Sequence, residues 1–129
     1  MKWIKTILFS LFGLLLINGG LSKFLHYMPI PEDLPAEVVK DSQALAEIGW
    51  LIPLIGIAEI LGGLLILIPK TRALGALIVF PVMAGVLLHH STVATDGLPM
   101  ALLIWVLLIW IILDNKKKYL PLVQQQPKF

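Results

Sequence analysis

Residues 50–67 read WLIPLIGIAEILGGLLIL. This stretch carries one ionisable side chain, Glu59, in a run that is otherwise uncharged and mostly aliphatic, and Ile48 and Ile68 extend the run at its two ends. A helix of about 20 apolar residues crosses the roughly 30 Å hydrocarbon core of a bilayer. The apolar residues are continuous and do not alternate with polar ones, which indicates a helix and not a barrel strand. The stretch therefore predicts a transmembrane helix with an acid near its middle.

Three further apolar stretches have similar character, and the composition agrees with a membrane protein. Hydrophobic residues make up 58% of the 129 residues and charged residues 14%, whereas about a quarter of the residues in soluble domains are charged. Thr95 and Asp96 offer a helix cap and Pro99 suits a first turn, so the last stretch gains a few residues. We predict one all-α domain over residues 1–129, an integral membrane four-helix bundle with spans at about 4–22, 48–68, 73–90 and 96–113.

Basic residues are distributed unevenly between the two sides of these spans. Eight of the ten fall on one side, at Lys2, Lys5, Lys70, Arg72, Lys116, Lys117, Lys118 and Lys128. The positive-inside rule places that side, and both termini, in the cytoplasm of a bacterial inner-membrane protein, with only Lys23 and Lys40 outside. The competing interpretation is that the basic and apolar start of the chain is a cleaved signal peptide, which would leave three spans.

Residues 22–47 form the one sizeable segment predicted between spans. Pro29, Pro31 and Pro35 stiffen its first half, because proline fixes its own φ and restricts the residue before it. Asp33 can cap a short helix in the second half, where apolar residues recur at helical spacing. We expect this segment to lie on the outer membrane surface between the first two spans.

Composition and motifs exclude several kinds of chemistry. The chain has no cysteine, so it supplies no disulfide, thiol redox centre or iron–sulfur ligand. A formal net charge of +2 gives no reason to expect nucleic acid as a partner. His89 and His90 lack the i, i+4 spacing that presents two metal ligands on one helix face. We therefore propose no metal site, and the sequence encodes no cofactor motif.

Glu59 is the strongest candidate for a functional residue. An ionisable group at the middle of a membrane helix costs about 3 kcal/mol unless it faces the interior of the bundle and finds a partner. Gly49, Gly56 and Gly63 recur every seven residues on the same helix, and Glu59 shares their face. Small residues on membrane helices mark close approach of a neighbour. We expect these glycines to be helix-packing positions and Glu59 to point into the bundle.

Three more polar residues are predicted to lie with Glu59 in the outer half of the bundle. Asn18 and Lys23 lie toward the outer end of the first span, and His89 shares the inward face of the third, whereas His90 is expected to face water or headgroups. Together they predict one polar ligand-binding pocket that opens outward. The alternative is structural: Glu59 pairs with Lys23 or His89 to fix helix register, and Asn18 joins helices.

Several segments resemble the DoxX-like family of small bacterial four-span membrane proteins. They are NGGLSKFLHYMPIP at 18–31, the stretch at 50–67 and PVMAGVLLHH at 81–90. The family's SG-L-x-K pattern falls on Gly20, Leu21 and Lys23, with Gly19 in place of the frequent Ser. Its G-x-x-E-x-x-G-G pattern falls on Gly56, Glu59, Gly62 and Gly63. The resemblance implies a four-helix bundle similar to quinone- or sterol-associated membrane proteins, some of which are subunits of membrane oxidoreductases.

The leading hypothesis for function is an inner-membrane binding or accessory protein. It would hold a lipophilic, quinone-like molecule or a partner subunit at the Glu59 pocket, within a membrane redox complex. Membrane lipids and a second copy of the chain are the other expected partners. Two alternatives stay open: a membrane-embedded enzyme in which Glu59 exchanges a proton with a lipophilic substrate, and a small transporter.

Overall fold

The structure is a computed structural model that describes residues 2–28 and 31–124, and regular structure in those residues is helical. The helices are α1 (Lys2–Leu25), α2 (Ala36–Glu47), α3 (Leu51–Leu67), α4 (Arg72–Thr92), α5 (Leu98–Asp114) and α6 (Lys116–Val123), with a 3₁₀ turn at Thr95–Gly97. Three residues used in the topology and loop predictions, Met1, Pro29 and Lys128, lie outside the described residues.

Close glycine contacts set α1, α3 and α4 side by side. A Cβ at Gly63 would come within 2.6 Å of the Gly13 carbonyl oxygen, and one at Gly20 within 2.6 Å of the Gly56 carbonyl oxygen. These two contacts run in opposite order along α1 and α3, so the helices are antiparallel. On the other face of α3, a Cβ at Gly75 would come within 2.6 Å of the Gly62 carbonyl oxygen. Small residues such as glycine allow membrane helices to approach this closely.

Two further contacts complete the bundle. Trp105 Nε1 on α5 donates a hydrogen bond of 2.8 Å to the Met83 carbonyl oxygen on α4. Lys5 on α1 forms an ion pair of 2.7 Å with Asp114 at the end of α5. The four longer helices thus pack in the order α1, α3, α4, α5, with α5 returning to α1.

The lengths of these helices define the membrane spans. α1, α4 and α5 with its 3₁₀ turn are each long and apolar enough to cross a membrane, whereas α3 qualifies only together with α2, from which it is bent by 92°. At 1.5 Å per residue, the 17 residues of α3 extend about 25 Å. The protein is a multi-pass helical membrane bundle with three spans, or four when the bent pair counts as one. This confirms the predicted all-α membrane fold.

The second span differs from its predicted limits of 48–68. Residues 48–50 form a turn, with Ile48 in an extended conformation, and α3 begins at Leu51. The residues before the turn form α2, which is bent by 92° from α3 and does not continue the span in a straight line. Apolar residues on both sides of a turn look continuous in sequence, which explains the overlong prediction.

The two ends of the bundle are packed differently. The end that carries Lys5, Arg72 and residues 116–118 is called the basic end, and the opposite end is called the α2 end. The buried core lies toward the basic end and consists of Phe9, Phe12, Leu16, Ile66, Ala76, Val79, Met83, Leu108 and Ile111. The α2 end has no comparable core among the described residues, and there the helices enclose a cavity.

Candidate functional site

A cavity of about 750 Å³ lies at the α2 end, between α2, α3 and α4. Its walls are mainly aliphatic and include Leu45, Ile52, Ile55, Val82 and Val86. The polar side chains that line it are few: Lys23, Asp41, Ser42, Glu59, His89 and His90. Apolar walls with a small number of placed polar groups are typical of small-molecule sites, whose volumes run from about 300 to 1,000 Å³.

An ion pair between α1 and α3 forms the deep end of this cavity. Lys23 Nζ lies 2.8 Å from Glu59 Oε1 and 3.4 Å from the Gly19 carbonyl oxygen. Helical side chains tilt toward the N-terminus of their helix, and α1 and α3 are antiparallel. Lys23 therefore leans toward the basic end and Glu59 toward the α2 end, so that the two meet. Glu59 is only 6% exposed, and Lys23 is half-buried.

The second oxygen of Glu59 has no partner among the described residues. Oε2 lies beside Gly19, where a Cβ would come within 2.6 Å of it, so the missing side chain leaves room for the carboxylate. In the described part of the chain, Arg72 Nη2 is the one fully buried side-chain nitrogen or oxygen without a hydrogen bond. Oε2 is therefore not sealed off, and it stays accessible beside the cavity that Glu59 lines.

The two histidines lie at the other end of the cavity. Gly62 of α3 packs against Gly75 of α4, and the two helices run in opposite directions. Glu59, three residues before Gly62, therefore lies level with residue 78 of α4. His89 is then about 16 Å further along the axis of α4. The predicted single pocket is thus a long cavity with polar groups at both ends. Of the two partners weighed for Glu59, the structure pairs it with Lys23.

His90 also lines the cavity, against the expectation that it faces water or headgroups. Its ring turns back toward the loop after α4, where Nδ1 lies 2.9 Å from the Ala94 carbonyl oxygen. A carbonyl oxygen only accepts, so Nδ1 carries the proton. The ring also packs in the space that Gly97 leaves open. The His89 and His90 rings meet edge to face, with centroids 5.4 Å apart.

Asn18 lies apart from the other three predicted site residues. It is exposed, does not line the cavity, and accepts a hydrogen bond from the Tyr27 hydroxyl. Five residues along a helix turn through about 140° beyond a full turn, so Asn18 and Lys23 occupy different faces of α1. The structure brings Lys23, Glu59 and His89 to one cavity and leaves Asn18 outside it.

The three predicted packing glycines have different surroundings. Gly56 and Gly63 both lie against α1, where an added Cβ would meet the Phe24 ring and the Gly13 carbonyl oxygen, respectively. Gly49 is a correction: it lies in the turn before α3, and a Cβ there would meet nothing within 4 Å. The seven-residue spacing was misleading at Gly49 because the helix does not reach that far.

Sequence reasoning missed Asp41 and Arg72. Asp41 lies on α2 and lines the cavity. Its helical spacing from the buried Val38 is the signal that could have found it. Arg72 counted only as a topology charge, yet it is 7% exposed. Its Nε donates a 2.8 Å hydrogen bond to the Ile66 carbonyl oxygen, and its guanidinium lies 5.1 Å from the centroid of the Phe9 ring.

Comparison with known families gives one match. Residues 1–101 match the family described as methylamine utilisation protein MauE. The chain belongs to this family. The match confirms that the chain belongs to a family of membrane proteins, and it does not confirm the DoxX-like resemblance. No curated protein and no solved structure matches the chain significantly. Among residues 2–28 and 31–124, no group of three or more acidic or histidine side chains could hold a metal ion.

Proposed function

We propose that this protein is an accessory protein of the bacterial inner membrane that holds a lipophilic small molecule in the cavity at the α2 end. The ligand has an apolar body and a polar, quinone-like headgroup. The family description, methylamine utilisation protein, supports an accessory role in the metabolism of methylated amines. The ligand would be held for a partner protein in the same membrane and not consumed by the chain itself.

The cavity itself is the observation that carries this proposal. Its volume of about 750 Å³ falls in the range of small-molecule sites. A buried charge pair at the end of an apolar space can orient a headgroup, because hydrogen bonds to charged groups are strong where water is scarce. A role for Glu59 as an acid or base is less favoured, since Lys23 already engages one of its oxygens at 2.8 Å.

Native mass spectrometry of protein extracted into nanodiscs tests the proposal. We expect the wild-type protein to retain a small lipophilic molecule. Ile55→Trp should release it, because Ile55 lines the cavity wall and a tryptophan there fills the space. Leu54→Trp is the matched control: Leu54 is the preceding residue, is 54% exposed and does not line the cavity. A molecule retained equally by both variants would refute cavity binding.

The inner-membrane location and the orientation are part of the same proposal. The basic end would face the cytoplasm and α2 the outer side. Because the chain has no cysteine, single cysteines can be placed at will. We expect Lys40→Cys, exposed on α2, to react with an impermeant maleimide in intact cells, and Lys117→Cys, exposed on α6, to react only after lysis. The reverse labelling pattern would refute the proposed orientation and show that the basic end faces outward.

A further inference from the structure

We propose that the deep end of the cavity selects a ligand whose buried end carries a hydroxyl group, as in a lipophilic alcohol or phenol. Ligands whose buried end only accepts hydrogen bonds, such as ethers and ketones, are disfavoured. For a quinone-like headgroup, the reduced quinol, which carries hydroxyl groups, is therefore favoured over the oxidised quinone. The inference rests on the proposed function, because it specifies the chemistry of the molecule that the cavity would hold. It follows from the groups that the ion pair leaves unused.

The ion pair presents one acceptor and one donor side by side. Glu59 Oε1 is engaged by Lys23, but Oε2 accepts no hydrogen bond from the described residues and stays accessible. A lysine ammonium has three N–H donors, and those of Lys23 contact Glu59 Oε1 and the Gly19 carbonyl oxygen. One N–H of Lys23 and one oxygen of Glu59 are therefore available to a ligand.

A hydroxyl group satisfies both of these sites at once. Its proton goes to Glu59 Oε2, and its lone pair accepts from Lys23 Nζ. An ether or ketone can accept from Lys23, but it leaves the carboxylate oxygen without a donor after water has been displaced. Leaving a charged, desolvated acceptor unpaired lowers affinity strongly. A carboxylate headgroup would add a second negative charge beside Glu59.

The rest of the cavity fits an elongated apolar body behind that hydroxyl. The cavity between the ion pair and the histidines is lined by Ile52, Ile55, Val82 and Val86. His89 is half-buried and lies about 16 Å of helix axis from the level of Glu59. Asp41 of α2 also lines the cavity and is half-buried. Discrimination between a hydroxyl and an ether is therefore expected at the Glu59 end.

Two probes of equal chain length isolate this effect. Dodecanol and dodecyl methyl ether share an apolar chain, and only the alcohol can donate a hydrogen bond. Their binding to nanodisc-held protein is measured by native mass spectrometry at matched mole fractions in the lipid. We expect the alcohol to bind at least about tenfold more tightly to the wild type. Ile55→Trp should weaken both probes.

Two variants then remove the free acceptor in different ways. In Glu59→Gln, the amide oxygen faces Lys23 and the amide N–H faces the ligand, so the preference for the alcohol should disappear. Gly19→Ser keeps both charged residues, but its Cβ would lie within 2.6 Å of Oε2, closer than the two atoms can approach. The carboxylate therefore has to turn away from its place beside Gly19, and the new hydroxyl can donate to it. This variant should abolish the preference as well, and it decides the matter if Glu59→Gln does not fold.

Gly85→Ser is the matched control for Gly19→Ser. Gly85 lines the same cavity, and a Cβ there meets nothing within 4 Å. It lies about 10 Å of helix axis along α4 from the level of Glu59. This variant should keep the tenfold preference. Equal binding of both probes to the wild type would overturn the hydroxyl inference and leave cavity binding intact. Failure of both probes to bind, or binding that Ile55→Trp does not weaken, would overturn both.

Discussion

The basic end and the α2 end of the bundle both contain buried charged residues, but the basic end is closely packed and the α2 end holds a cavity. At the basic end, Arg72 lies over Phe9 and bonds to the Ile66 carbonyl oxygen, and the Tyr119 hydroxyl bonds to the Ala73 carbonyl oxygen at 2.8 Å. These contacts join neighbouring helices, and only Arg72 Nη2 is left buried without a hydrogen bond among the described residues. At the α2 end the helices border a cavity of about 750 Å³. Buried polarity marks a candidate site only where empty space adjoins it.

In the part of the chain that the structure describes, each end has one ion pair that joins α1 to another helix. Lys5 and Asp114 lie 2.7 Å apart with about a third of each side chain exposed. Lys23 and Glu59 lie 2.8 Å apart, but the Glu59 side chain is only 8% exposed. Distance alone does not separate the two pairs. The desolvation of Glu59 and its unused oxygen make the second pair the better candidate for recognition.

The largest expected effect comes from adding a side chain at the close contact between α1 and α3. In Gly63→Leu, the new side chain would collide with the Gly13 backbone, which cannot move aside as a side chain can. We expect a loss of about 3 kcal/mol of unfolding free energy, or no folded protein. Thermal melting in detergent, followed by circular dichroism, measures this.

Gly49→Leu serves as the control for that prediction. It adds the same side chain in the turn before α3, where a Cβ meets nothing within 4 Å. Its melting temperature should stay close to that of the wild type. If both variants melt alike, the close α1–α3 contact does not hold the bundle together, and the location of Glu59 between the helices loses its support.

The second prediction separates the two ion pairs. Lys23→Met leaves the Glu59 carboxylate without its counter-charge at 6% exposure, and it should cost about 2 kcal/mol. Adding Glu59→Gln should restore part of that loss, because the stranded charge is then removed. Asp114→Asn should cost less than about 1 kcal/mol, since exposed pairs contribute little. Equal costs for Lys23→Met and Asp114→Asn would show that Glu59 is well solvated.

The fold could be predicted from the sequence because hydropathy and helix length act locally. The stretch at 50–67 has an apolar surface, which lipid can surround, and one acid, which needs a partner on a neighbouring helix. A helical membrane bundle provides both. The break before Leu51 could not be predicted from hydropathy, because Ile48 and Trp50 are as apolar as a continuing helix would be. A 92° bend depends on how α2 packs across the cavity, which is a property of the assembled bundle.

The candidate site was predicted less completely, for a related reason. Glu59 could be predicted because a charge in an apolar helix is conspicuous. Lys23 could be predicted because the apolar stretch of α1 shows where that helix ends. The separation of His89 from Glu59 depends on the register between α3 and α4, which the Gly62 and Gly75 contact sets. Helix periodicity gives the face of a residue but not its depth relative to a neighbouring helix.

The smallest expected effect concerns Tyr119 at the basic end, on α6. Its hydroxyl donates to the Ala73 carbonyl oxygen, and burial raises the pKa of the Tyr119 phenol above its ordinary value of 10.0. The folded state therefore favours the neutral phenol. Its contribution to stability is complete below about pH 10, the pKa of an unfolded tyrosine, and is lost as the pH rises through the higher folded pKa.

Tyr119→Phe tests this assignment. At neutral pH it should cost about 1 kcal/mol, the value of one hydrogen bond. Above pH 10 the difference from the wild type should shrink, because the wild type loses the same contribution as its phenol ionises. Lysine titration contributes equally to both proteins and cancels. Tyr27→Phe replaces the only other tyrosine, at the α2 end, and should keep the wild-type pH dependence. A gap between wild type and Tyr119→Phe that stays constant from pH 8 to pH 12 would mean that the phenol of Tyr119 is not held in its neutral form by the fold.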